Sequence, residues 1–284
     1  METNLLKALS NISKLDKFSL AELYTGKNRI NNIGSALEYF IKDVFCSTLE
    51  IQDLEKKQEI YKEYFSYLGN PNNPPDFIIK KGDAVEVKKH AGSGTSDLAL
   101  NSSYPVSVLS SNSPMIARAC RDCEKWDEKD LIYTIGNVMD DHIGSLWFVY
   151  GDCYAAERGT YEKIKNEITK GINDLPDIEF GETSELGRVN KVDPLGITNL
   201  RIRGMWSIKH PQKVFEYCLD NLGGNKYMVN AILLSSKYDS FPEEDRINLE
   251  SLVSDKLIIN EIQIKSPNNP AQSLNAKLIS IIKL

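Results

Sequence analysis

Long apolar runs, cysteine, and excess positive charge are all scarce in this 284-residue chain, and each shortage removes a class of protein. No stretch approaches the roughly 20 apolar residues that span a bilayer; Ser145-Leu146-Trp147-Phe148-Val149-Tyr150 is typical of the longest. The opening segment, residues 1–20, scatters Lys7, Lys14 and Lys17 among short apolar patches and has no signal-peptide core, so the expected location is cytoplasmic. Five cysteines (Cys46, Cys120, Cys123, Cys153 and Cys218) are too few and too scattered for a disulfide framework and fit reduced, mostly buried thiols. Proline and glycine, 11 and 17 residues, are too rare for a collagen-like or low-complexity chain. Basic residues number 34 against 40 acids, a net charge of −6, so a polyanion would have to meet a local patch. What is present is an ordinary globular composition: 41% hydrophobic residues, with 13 Tyr, 9 Phe and 3 Trp, are enough to bury a full core. No internal repeat or Pro/Gly/Ser linker divides the chain, which reads as a single domain over residues 1–284.

Apolar residues at three- and four-residue spacing (Ile33, Ala36, Leu37, Phe40, Ile41, Val44, Phe45) predict a helix over residues 32–46. A more polar helix is expected over 51–67, stopped by the Asn/Pro run of 69–75. Residues 76–80 and 84–88, joined by Lys81-Gly82-Asp83, have the pattern of two short strands and a turn. The Ser/Asn/Gly-rich residues 91–113 read as a long loop, and Ser113-Pro114 as the start of a helix running toward Trp126. Strands are expected at 131–135, 146–150, 228–234 and 257–265, and helices at 161–172 and 214–222. Interleaved strands and helices give an α/β class, a mixed central sheet flanked by helices.

The segment richest in chemistry is Asp76 followed by Glu86-Val87-Lys88. Side chains alternate along a strand, so Val85 and Val87 can face the core while Glu86 and Lys88 project together from the other side. Asp76, at the start of the partner strand, would bring a second carboxylate alongside. Two carboxylates suit one hard cation such as Mg²⁺, completed by water and a substrate phosphate. A lysine there can orient or help to deprotonate an attacking water, and the whole set suits phosphodiester hydrolysis. Other acid-x-Lys triplets, Glu55-Lys56-Lys57 and Asp127-Glu128-Lys129, fall in polar, helix-like stretches. Glu38 lies at the border of the apolar arc of the 32–46 helix; it can lean toward the metal as an accessory group or pair with Lys42 one turn on.

Between Arg188 and Lys213 six basic residues face one acid, a local excess compatible with a DNA or phosphate surface or with a solvated charge run. Arg201 and Arg203 alternate with Leu200, Ile202 and Gly204, so on a strand both guanidinium groups leave one face. They could read guanine through O6 and N7, bind phosphate, or pair with acids of the protein itself. Lys89, His90, Arg118 and Arg121 are further phosphate-binding candidates, and Asn101, Ser102 and Ser103 offer donors from the loop. Cys120-Arg121-Asp122-Cys123 allows a zinc reading with His142 and Cys153, against the alternative of buried thiols, since a structural site normally brings two tight ligand pairs. No Ser/His/Asp order, phosphate-binding glycine loop or Rossmann fingerprint occurs.

The Asp76…Glu86-Val87-Lys88 constellation resembles the PD-(D/E)xK nuclease superfamily, in which a helix carrying an acid precedes the hairpin. More narrowly, Lys27-Asn28-Arg29-Ile30-Asn31-Asn32, Leu100-Asn101-Ser102-Ser103-Tyr104-Pro105, Phe148-Val149-Tyr150-Gly151-Asp152-Cys153-Tyr154 and Asp193-Pro194-Leu195-Gly196-Ile197-Thr198 resemble the NgoPII-type family of type II restriction endonucleases, over about residues 24 to 220. The resemblance implies a restriction-endonuclease-like core and a Mg²⁺-dependent enzyme. It implies cleavage of double-stranded DNA at a short G/C-rich palindrome, GGCC in the family's namesake, leaving 5′-phosphate and 3′-hydroxyl ends. Carried over by position, Asp76 and Glu86 become metal ligands and Lys88 the catalytic lysine, while Glu38 matches by its place on the helix. A palindromic site implies a homodimer with two related active sites, and a restriction enzyme implies a cognate DNA methyltransferase as a functional partner without direct contact. A structure-directed nuclease of the same superfamily and a non-catalytic DNA-binding module are the other readings.

Overall fold

The computed structural model describes residues 2–15, 19–20, 33–140, 142–219 and 227–282. Helix α1 (Leu5–Ser13) begins where the Asn4 side chain accepts from the Lys7 N–H, and it buries Leu5, Leu6, Ala8, Leu9 and Ile12. Helix α2 (Ile33–Cys46) packs against α1 and the sheet, and buries Leu37, Phe40, Ile41, Val44 and Phe45. Asp43, on α2, is also buried, accepting from Tyr61 and Thr48 hydroxyls at 2.5 Å each and paired with the ammonium of Lys57. This network ties α2 to α3 (Leu54–Tyr64).

The main sheet takes the order β1–β2–β3–β6–β7–β11–β13–β12. Its strands are β1 (Phe65–Tyr67), β2 (Phe77–Ile79), β3 (Ala84–Ala91), β6 (Glu128–Met139), β7 (His142–Tyr150), β11 (Tyr227–Leu234), β12 (Leu257–Lys265) and β13 (Ser273–Ile282). The β3–β6 and β7–β11 pairings are parallel and the others antiparallel, so the sheet is mixed, as the interleaved pattern implied. Between β3 and β6 the chain forms β4 (Leu98–Asn101), β5 (Val108–Ser110) and the short helix α4 (Arg118–Arg121). After β7 come α5 (Gly151–Tyr154) and α6 (Arg158–Asn173), then β8 (Gly187–Val189), β9 (Leu200–Ile202) and β10 (Trp206–Ile208). Strands β8 and β9 form their own two-stranded sheet, and β10 pairs with β4. Gly136 on β6 lets α2 approach closely: a Cβ there would meet Leu37 Cδ2 at 2.7 Å.

Several boundaries differ from the sequence expectation. Residues 65–67 leave the second helix and become β1, because Phe65 and Tyr67 alternate into the core opposite β2. The expected 91–113 loop contains β4 and β5. The helix expected from Ser113 shrinks to Arg118–Arg121: Arg121 spends its guanidinium on the carbonyls of Ser111 and Ser113, and Ser113 caps only the Met115 N–H. The 214–222 helix resolves into Pro211–Val214 and Glu216–Leu219, with residues 220–222 outside the described ones, as is the Lys27–Asn32 stretch of the family resemblance. Among the described residues no helix is long and apolar enough to cross a membrane.

Candidate active site

Strand β2 is Phe77-Ile78-Ile79, buried at every position, and it pairs antiparallel with β3, Phe77 opposite Val85 and Ile78 opposite Ala84. The turn between them is closed by Ile79 N–H to Asp83 C=O and Gly82 N–H to Ile79 C=O, both 2.9 Å, with Lys81 in the left-handed region at φ 57°. Asp83 is anchored from below by the Tyr150 hydroxyl at 2.5 Å and the Lys237 ammonium at 2.8 Å. Parallel pairing sets Glu86 beside Tyr133 and Lys88 beside Ile135 of β6. A hairpin held on both edges fixes where its side chains point.

Asp76 enters this hairpin through its backbone, its N–H donating to Val85 C=O at 3.0 Å, and its Oδ2 accepts from the Val87 N–H at 2.6 Å. Gly69, with φ 85°, allows the 69–75 loop to press against this point; a Cβ there would sit 2.3 Å from the Asp76 carbonyl. Glu86 is only 9% exposed, and its Oε1 takes the Lys88 ammonium at 2.7 Å. Its second oxygen, Oε2, is buried with no hydrogen-bond partner. Burial, then the neighbouring Glu86 charge, pushes the Asp76 carboxyl up to about 7, with the Val87 N–H opposing and Glu38 adding to the rise. Burial works against the Lys88 ammonium, but the charge and hydrogen bond of Glu86 outweigh it and hold the lysine above its ordinary value.

These three side chains line a cavity of about 380 Å³ whose walls include Asn70, Asn73, Asn101, Ser102, Tyr104, Tyr133, Arg203 and Met205. The structure therefore brings Asp76, Glu86 and Lys88 together with Asn101, Ser102 and Arg203, although 127 positions separate the first and last in sequence. Glu38 lies near enough for its charge to act on Asp76, but it is ion-paired with Lys42 at 2.5 Å and is not among the residues lining the cavity. Arg201 and Arg203 both turn to Glu185. Lys89, one residue beyond Lys88 and so on the opposite face of β3, is exposed away from the cavity. Arg118 is 91% exposed and paired with Asp122, also outside the cavity.

Tyr133 and Met205 were not legible as site residues. Tyr133 lines the cavity while its hydroxyl bridges both backbone groups of Val106, at 2.8 and 3.1 Å, holding the β4–β5 connection against the sheet. A tyrosine inside an apolar strand carries no sequence signal of such a role.

A model of the NgoPII restriction endonuclease family matches residues 3–265. The chain belongs to this family. The type II restriction enzyme NgoPII of Neisseria gonorrhoeae is 43% identical to it over 278 residues, which cover 98% of this chain and 99% of that protein. No solved structure matches. As a member of the NgoPII restriction endonuclease family the chain is an enzyme, a type II restriction endonuclease by kinship, and the match encloses both the hairpin and the arginine-bearing strands.

Restriction endonucleases of type II generally use a divalent metal, and the donor set can be tested for it. Among the described residues no three or more His, Cys, Asp or Glu side chains gather as a metal cluster. Two carboxylates do meet, and that number suits Mg²⁺, which keeps several waters and is held by one or two carboxylates together with substrate phosphate. The unpartnered Glu86 Oε2 and the mutual repulsion of Asp76 and Glu86 are the features a cation would satisfy. The zinc reading finds no such support: Cys120 is buried, its thiol pushed up to about 12 by burial, and Cys123 donates to the Ser66 hydroxyl.

Proposed function

We propose that the chain cleaves both strands of DNA at a short G/C-rich palindrome, GGCC-like, using Mg²⁺ held by Asp76 and Glu86 and leaving 5′-phosphate and 3′-hydroxyl ends. The observation that carries this reading is the buried, unpartnered Oε2 of Glu86, a residue that lines, with Asp76 and Lys88, a cavity whose walls also include Arg203 and Asn101. When bound, the metal neutralises phosphoryl charge and lowers the pKa of a bound water. The remaining work falls to the chain. Lys88, held by Glu86, presents an ammonium to the attacking water and to charge developing on the phosphate. Val87 N–H fixes one oxygen of Asp76, which leaves the other for the cation. Glu38 serves as an accessory acid behind Asp76 and not as a ligand of first resort. Asn101 and Ser102 bind the sugar-phosphate backbone at the cavity mouth, and Arg201 and Arg203 read guanine. Lys89 and Arg118 contribute a general positive surface further out. The molecule acts as a homodimer on the two-fold axis of its site, alongside a methyltransferase that protects the same sequence.

The test is digestion of several unmethylated plasmids with the purified protein, in Mg²⁺ and in EDTA, beside Asp76→Ala. Discrete fragments that need the metal and vanish in the variant are the expected result. A smear would favour a structure-directed nuclease, and intact DNA in every lane, with the protein folded, a non-catalytic binding module.

A further inference from the structure

The hairpin of β8 and β9 sets Arg188 directly opposite Arg201. Directly opposed residues of an antiparallel pair share a face, and like charges there are unfavourable unless something anionic meets them. Arg203, two residues after Arg201, joins the same group, and one carboxylate answers two of the three. Glu185 receives Arg201 side-on, Nε to Oε2 at 2.9 Å and Nη2 to Oε1 at 2.6 Å, and Arg203 through Nε to Oε1 at 2.6 Å. The backbone enforces this: Leu186 N–H donates to Ile202 C=O at 3.0 Å, which pins residue 185 between the two arginines, and the Glu185 N–H is held by Thr183 Oγ1 at 3.1 Å. The Glu185 side chain is 12% exposed while the guanidinium-bearing side chains are 56% and 54% exposed.

Geometry decides what remains available. A guanidinium has five N–H groups, and bonding through the Nε edge leaves its outer Nη1/Nη2 edge intact. That outer edge is a fork able to match O6 and N7 of guanine. Both arginines meet Glu185 through the Nε side, which leaves the Nη1/Nη2 edge of each able to meet a second molecule, and Arg203 stands on the wall of the cavity that contains Asp76, Glu86 and Lys88.

We propose that Glu185 is a positioning residue for base recognition: it clamps Arg201 and Arg203 in one array with their outer forks free, and so makes them readers of guanine instead of general phosphate binders. This rests on the DNA-cleaving function proposed above. A long, half-exposed arginine otherwise samples many rotamers and takes the nearest phosphate, and ordering it on binding costs affinity for the right sequence. The clamp orders it beforehand and offsets one positive charge that would strengthen binding to any DNA.

The experiment compares wild type, Glu185→Gln and Glu185→Asp on duplexes carrying the site that the wild-type digest defines and on duplexes changed at one base pair of it. Glu185→Gln is expected to lower the ratio of kcat/KM between cognate and altered sites by about tenfold or more, to steepen the salt dependence of binding by about one phosphate contact, and to melt like wild type. Glu185→Asp, which keeps the charge on a shorter arm, should recover part of the discrimination. If wild type gives discrete fragments and Glu185→Gln discriminates as well as wild type, the clamp is wrong and the nuclease reading stands. A lower melting temperature with unchanged discrimination would reduce Glu185 to a structural ion pair, which also overturns the proposal. If wild type leaves every DNA intact, the nuclease reading itself falls and the clamp falls with it.

Discussion

Strand β2 is buried at all three of its positions, whereas β9, which carries Arg201, is buried at none. The first lies inside an eight-strand path, anchored at its turn by Asp83, Tyr150 and Lys237; the second belongs to a two-stranded sheet of three residues per strand. An isolated two-stranded ribbon is marginal in water, so the arginine lobe has little stability of its own to set against a ligand's demands. Around it Leu195, Ile197 and Met205 are exposed, at 83%, 77% and 68%. The difference teaches how the two jobs are divided. Under the proposed function, hydrolysis needs atoms fixed within fractions of an ångström, and the hairpin is where packing fixes them. Recognition needs a surface that can settle onto a second molecule, and its order comes from ion pairs and backbone caps in place of core.

Lys88→Ala is the strongest way to isolate the rigid half. It removes the ammonium that pairs with Glu86 and should lower single-turnover cleavage by about a thousandfold, the scale on which positioned charges act in hydrolysis. DNA binding should survive, since Lys88 lies in the cavity and not on the arginine strands. A loss of binding equal to the loss of cleavage would mean that the two halves are not separable.

The seam between the halves should respond to acid. His210, fully buried just after β10, accepts the Gln212 N–H on Nδ1, so its Nε2 carries the proton donated to Asn137 Oδ1 at 2.9 Å. Asn137 on β6 in turn holds the Gly92 and Gly94 carbonyls and meets His90 at the end of β3. Burial, then the neighbouring charges of His90 and Lys213, lowers the His210 pKa from 6.5 to about 4. A depressed folded value means that the unfolded chain takes up the proton first. The stability tied to neutral His210 is therefore intact above pH 6.5 and drains as pH falls toward 4, by at most about 3 kcal/mol. Melting curves across that window should fall more steeply for wild type than for His210→Gln, and parallel curves would refute the assignment.

Arg203→Ala tests the adaptable half by itself. Discrimination against one-base changes should weaken by about 1–3 kcal/mol if the fork reads guanine, while a uniform loss across all sequences would mark a phosphate contact. Stability should barely change, because an ion pair whose arginine is about half exposed is screened by water and contributes little.

The same division explains what could be read in the sequence. The hairpin of the candidate site was legible because its causes are local: period-two alternation, a Gly-containing turn, and Asp76, Glu86 and Lys88 within thirteen positions. The basic strand was legible too, as Arg201-Ile202-Arg203, yet its partner was not. Glu185 is one of several acids in a polar stretch, and it is tertiary pairing, the Leu186–Ile202 backbone bond and the β8–β9 ladder after it, that brings it to the arginines. Strands β4 and β5 were hidden inside a Ser/Asn-rich segment because they are short and owe their form to β10 and β6. The helix announced by Ser113-Pro114 shrinks to one turn because the Ser113 hydroxyl bonds the Met115 N–H, and the turn that forms starts at Ala117, which has no side-chain cap.

The smallest effect expected is at the tip of the arginine lobe, and it bears on assembly. The Asp193 carboxylate collects the Leu195, Ile197 and Thr198 N–H groups together with the Thr198 hydroxyl, which holds the loop in shape with Leu195 and Ile197 pointing to solvent. The loop's form therefore depends on Asp193 and not on its leucine. In the monomer, Leu195→Ser should change the unfolding free energy from denaturant titration by less than about 0.5 kcal/mol, as surface changes do. Measuring it at two protein concentrations adds the decisive contrast. If the tip is covered by a second copy in solution, the loss will grow to a kilocalorie or more and will depend on concentration, since whatever binds only the folded chain stabilises it by mass action. A small loss that ignores concentration keeps the tip a free surface, and leaves the two-fold contact of the proposed homodimer to be sought on another face of the molecule.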